Sequence, residues 1–177
     1  ASKKIREYYQ EKEGKEAICY CMGENVCRGT YGLDNARTAG EVEKNIVVSP
    51  AVLAAAKYLQ AHEKVAWVSC PMLEGDKHYA LAKKYMPNGT CGVITFGLKG
   101  GREEAVRMMD SLKMIAIVTH VADARSCVLH PASHTHRQMN DQELKEAGVQ
   151  PDLIRFSVGI ENIDDIIADL SQALEQV

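Results

Sequence analysis

Residues 152–161 read Asp-Leu-Ile-Arg-Phe-Ser-Val-Gly-Ile-Glu, and this stretch decides the architecture. Strand side chains alternate between faces. Ile154, Phe156, Val158 and Ile160 therefore share one face, and Leu153, Arg155, Ser157 and Gly159 the other. The first set reads as core. The second is small around Arg155, which leaves room beside the guanidinium. An enclosed guanidinium stays charged, and its fork suits a carboxylate. The pattern leaves two partners open, an internal Asp or Glu and the carboxylate of a ligand.

Outward from this strand, helical and extended patterns alternate. Asn162 opens a helix with Asp164 and Asp165 at its positive end, and Ile163, Ile166, Ile167, Leu170, Leu174 and Val177 trace a buried stripe. Upstream, Asn140 and Glu143 have the spacing of a capping box. Helices are predicted over 47–62, 76–86 and 102–112, and strands over 65–70, 92–98, 114–120 and 126–129. Short strands between helices fit a parallel sheet or a mixed α+β layer, and the pattern does not choose between them.

The chain has 177 residues, which suits one domain of about 125–130 residues with an N-terminal extension. Its net charge of −3, with acids and bases interspersed, leaves no basic stripe and argues against a nucleic-acid partner. No apolar run approaches the roughly 18 residues of a membrane span. The opening Ala-Ser-Lys-Lys leads into charge, so a cytoplasmic location is expected.

Cys70, Cys91 and Cys127 lie in or beside apolar runs, where cysteine acts as a small hydrophobe. Cys19, Cys21 and Cys27 lack the paired C-x2-C knuckles of common zinc sites, and free thiols are expected. His130, His134 and His136 fall within one short run. Three imidazoles can form a metal set, but Pro131 and the adjoining strand pattern favour a loop.

DARSCVLHPASHTH over 123–136 and DLIRFSVGIENIDDIIADL over 152–170 resemble the C-terminal domain of the pyridoxal-phosphate (PLP) enzymes of cysteine and methionine metabolism. So do AAAKYLQAHEKVAWVSCP over 54–71 and LAKKYMPNGTCGVITFGLKGG over 81–101. The O-acetylhomoserine sulfhydrylase branch is the nearest in wording. The resemblance implies an α+β fold, a two-layer α/β sandwich with a largely antiparallel sheet of about four strands and helices on one side. Residues 47–177 would be the small C-terminal domain and 1–46 an extension. Ser126 and Arg155 match the residues that hold the substrate α-carboxylate, which places them on neighbouring strands with side chains on one face. The histidine segment matches a loop near the substrate that the family does not use for metal.

The resemblance also implies what is missing. Family members attach PLP to a lysine in a Ser-x-Thr-Lys-type motif within a large domain that lies N-terminal to this region. No lysine here has that context, and no glycine-rich phosphate cup precedes a helix. In the family reaction PLP drives γ-elimination of acetate, and sulfide or a thiol then adds. This chain alone is expected to bind no PLP and to be inactive. Residues 31–46 echo a Y-x-R-x-x-N-P-T segment of the PLP phosphate site: Tyr31 fits, Leu33 replaces the arginine, and Ala36-Arg37 replace Asn-Pro. Without a covering large domain, a homo-oligomer is expected. The alternatives are an amino-acid-binding or regulatory module, and a self-associating remnant.

Overall fold

The computed structural model describes residues 50–87, 89–90, 92–119 and 123–177, together with two short strand pieces in the N-terminal region. These pieces, β1 (Cys19–Tyr20) and β2 (Ile46–Val47), pair in parallel. Tyr31, Cys21 and Cys27 lie outside the described residues.

The main sheet contains β3 (Val65–Ser69), β4 (Val93–Leu98), β5 (Ala116–Ile117), β6 (Cys127–Leu129) and β7 (Leu153–Ser157). Their order is β3-β4-β7-β6-β5. β3–β4, β4–β7 and β6–β7 are antiparallel, whereas β5–β6 is parallel. The expected four-stranded, largely antiparallel sheet is thus corrected to a mixed sheet of five strands. The fifth is a two-residue strand, shorter than its apolar run suggests. The N–H groups of Lys113, Met114 and Ile115 are taken by the Asp169 carboxylate at 2.9, 2.9 and 2.8 Å, which leaves only Ala116 and Ile117 as ladder residues.

Helices α1 (Pro50–Ala61), α3 (Arg102–Asp110) and α5 (Ile163–Leu174) pack on the face that carries Ile94, Phe96, Ile154, Phe156 and Val128. Alanine and leucine at helical spacing make this fit possible: Val52, Ala55, Ala56 and Leu59 of α1 are buried, as are Ile166, Leu170 and Leu174 of α5. Val158 continues the core face, but Ile160 is 59% exposed. The strand ends at Ser157, so the alternation that predicted a buried Ile160 no longer applies there.

Two shorter helices sit in the connections. α2 (Tyr79–Tyr85) starts later than predicted because Asp76 organises the preceding turn, accepting from His78 N, Cys70 N and Ser69 Oγ. α4 (Asp141–Glu146) has the predicted capping box, with Asn140 Oδ1 accepting from Glu143 N at 3.0 Å and Glu143 Oε2 from Asn140 N at 2.8 Å. Among the described residues, no helix is long and apolar enough to cross a membrane. On the sheet face away from the helices, Trp67 Nε1 donates to Asp152 Oδ2 at 2.9 Å. The bond passes over Gly97, where any Cβ would collide with both partners.

Candidate functional site

Arg155 stands in the middle of β7, on the face turned away from the helix layer. The strand register places it in one cross-strand row with Ser69, Thr95 and Leu129. Its side chain is half-buried, and Nη2 donates to the Thr119 carbonyl at 3.3 Å. Thr119 follows β5, so the guanidinium reaches from β7 across β6 to the sheet edge. Beside the row opens a groove of about 720 Å³, lined by Trp67, Ser69, Thr95, Asp152 and Leu153 and by Asp76, Lys77 and Gln150 from loops. A concavity of that size is within the range of small-molecule sites.

Ser126 lies next to this arrangement, but its hydroxyl is committed elsewhere. It is fully buried. Its N–H donates to Glu161 Oε1 at 2.6 Å and its Oγ to Glu161 Oε2 at 2.9 Å, while Gly159 N donates to Oγ at 2.9 Å. Cys127 and Leu129 pair with Ser157 and Arg155, and Ser126 precedes the first of these paired residues. Ser126 thus lies just ahead of β6, the strand that pairs with β7, and its hydroxyl is held by Glu161. Cys127, on the Arg155 face, is buried, and burial pushes its thiol up despite the nearby guanidinium.

The histidines do not converge. His130 is fully buried, with Nε2 2.8 Å from the Pro151 carbonyl and Nδ1 2.8 Å from Ser133 Oγ. A carbonyl only accepts, so Nε2 carries the proton and Nδ1 accepts from the serine. Burial pushes this imidazole below its ordinary pKa. His134 Nδ1 bonds the His130 carbonyl at 3.1 Å, and His136 Nδ1 lies 2.9 Å from Thr135 Oγ1. Among the described residues, no group of three His, Cys, Asp or Glu is arranged to hold a metal.

The described lysines are exposed, except Lys64, whose Nζ donates to the Leu174 carbonyl at the end of α5 at 2.9 Å. The sequence pattern does not single out Glu161, Thr119 or Asp169. Their partners lie 35, 36 and 54–56 residues away, and no local pattern marks them.

Comparison with known proteins places these features in a family. Residues 48–175 match the family described as Cys/Met metabolism PLP-dependent enzyme. A homocysteine synthase of Schizosaccharomyces pombe is 51% identical over 122 residues, which is 69% of this chain and 28% of that protein. An O-acetyl-L-homoserine sulfhydrylase of Leptospira meyeri is 46% identical over 71% of this chain and 28% of its own length. A crystal structure assigned as an O-acetylhomoserine (thiol)-lyase from Campylobacter jejuni, with a pyridoxyl-lysine, is 37% identical. It superposes with a TM-score of 0.67, covering 72% of this chain and 30% of that one. The chain thus spans under a third of the length of these relatives. With residues 48–175 matched, the chain belongs to the Cys/Met metabolism PLP-dependent enzyme family.

Proposed function

We propose that this chain works as the C-terminal domain of an O-acetylhomoserine sulfhydrylase-type enzyme, supplying the clamp for the substrate α-carboxylate but not the lysine that carries PLP. The observation that carries the reading is the family match over residues 48–175, a span that includes both Ser126 and Arg155. Arg155 offers its planar fork to the two carboxylate oxygens, a geometry that an ammonium does not reproduce. Ser126 shares in the clamp by holding the turn after β7, through its bonds to Gly159 and Glu161.

In this reading, residues 47–177 form the small domain and residues 1–46 an N-terminal extension. A large domain, in the same longer protein or in another chain, brings PLP and closes over the Arg155 face. The setting is the cytoplasm, and the assembly is a homo-oligomer. Exposed Met114 and Ile117, 39% and 38% accessible along the β5 edge, favour such an association.

The test is incubation of the chain with PLP, O-acetyl-L-homoserine and sulfide, followed by borohydride reduction and mass spectrometry. No lysine adduct and no homocysteine are expected. A stoichiometric adduct on one lysine with homocysteine formed would overturn the proposal.

A further inference from the structure

We infer that Glu161 is a positioning residue for the Arg155 guanidinium, acting through Ser126 and the β5 edge. The functional meaning of this role rests on the carboxylate reading proposed above.

Every polar group of Ser126 is engaged. Its N–H and hydroxyl both donate to the Glu161 carboxylate, at 2.6 and 2.9 Å. Its Oγ accepts from Gly159 N at 2.9 Å, and its carbonyl accepts from Ala116 N at 3.2 Å. A further bond, Ile160 N to Ala124 O at 3.0 Å, ties the same two turns together. Hydrogen bonds to an ionised acceptor are short and strong, and a carboxylate taking both donors of one residue fixes that residue in orientation as well as distance.

The consequence passes along the backbone. Ser126 carries β5 on its carbonyl, Val118 N donates to Val128 O at 3.1 Å, and the next residue, Thr119, presents its carbonyl to Arg155 Nη2 at 3.3 Å. Glu161 thus fixes Ser126, and Ser126, together with Asp169, holds β5, whose continuation offers the Thr119 carbonyl to the guanidinium. Gly159 permits the close fit, because a Cβ there would meet Ser126 N and the Glu161 carboxylate. A guanidinium held in place before its anion arrives binds more tightly than one that must first be ordered. Glu161→Gln keeps the size but turns an amide N–H2 toward a donor, so the turn loosens and Arg155 loses its fixed rest.

The test uses the full chain, ¹⁵N-labelled, and follows the Arg155 Nε–Hε signal, assigned by its loss in Arg155→Lys. O-acetyl-L-homoserine at pH 6.5 is the titrant, and thermal melting is recorded in parallel. Glu161→Gln is expected to shift or broaden the signal without ligand and to weaken binding about tenfold. Ser126→Ala, which keeps the Ser126 N–H bond to Glu161, is expected to move the same signal by less. It also supplies the answer if Glu161→Gln does not fold. A lowered melting temperature with the Arg155 signal and the affinity both unchanged would overturn the inference, because a purely structural latch predicts that result. If the wild type binds no ligand, the carboxylate reading fails. The ligand-free signal then decides the role of Glu161 by itself: moved, it stands; unmoved, it falls.

Discussion

Replacing Asp169 with alanine removes the fastening that starts β5. This carboxylate is 6% exposed and accepts from the N–H groups of Lys113, Met114 and Ile115 and from Gln172 Nε2 at 3.0 Å. Ile115 is itself 3% exposed, so in the variant its N–H finds neither water nor protein. One buried donor left without a partner costs about 2–3 kcal/mol, and two donors that regain water cost roughly 0.5 kcal/mol each. The expected loss is about 3–4 kcal/mol, a large part of the roughly 5–15 kcal/mol that holds a domain folded. With a urea slope of about 2 kcal/mol/M, the midpoint falls by about 1.5–2 M, read from the fluorescence of Trp67. Asp169→Asn keeps one accepting oxygen and loses about half as much.

The pH dependence gives an independent check on Asp169. Burial alone raises its carboxyl, but the bonds from Ile115, Lys113, Met114 and Gln172 outweigh burial and hold it below the usual range. The folded value is thus below the unfolded one, so the stabilisation is complete above about pH 3.9 and is lost as pH falls through the folded value. The gap between wild type and Asp169→Asn narrows below about pH 4. A midpoint for Asp169→Ala equal to wild type at pH 7, or a gap that persists undiminished in acid, refutes this account.

Arg155→Ala is expected to abolish amino-acid binding in isothermal titration, since each lost charged hydrogen bond costs about 1.5–3 kcal/mol; retained affinity counts against the clamp. His130→Phe strands Ser133 Oγ and the Pro151 carbonyl and lowers stability by about 2–3 kcal/mol in urea titrations at pH 7. Because the folded His130 pKa lies below its unfolded value, the wild type loses stability as pH drops below about 6.5, a slope the phenylalanine variant lacks. Light scattering across dilution is expected to show a dimer for the full chain and altered association for a chain starting at Val47. A strictly monomeric full chain that stays soluble after that truncation opposes the assembly reading.

The helices were legible because their apolar spacing matches the face they bury, as Ala55, Leu59, Ile166 and Leu170 illustrate. The β7 core face was legible as far as Phe156 and Val158, but periodicity carries no signal for where pairing stops, and Ile160 escaped. β5 was overread for the opposite reason: apolar content marks a strand, whereas a distant carboxylate determines how much of it pairs. At the candidate site, Arg155 stood out as a charge within a core strand. Ser126 was singled out only by the family resemblance, since no local pattern marks it and its bond to Glu161 joins residues 35 positions apart.

The sheet order makes the last strand in sequence the middle strand in space. β3 and β4 can meet as soon as both have been synthesised, and β5 and β6 can meet on their own, yet each pair keeps an open edge until β7 arrives between them. Synthesis proceeds at about 5–20 residues per second, so these edges wait several seconds, unpaired and able to meet the wrong partner. A nascent chain halted between Leu129 and Leu153 therefore carries two half-sheets that lack the strand joining them.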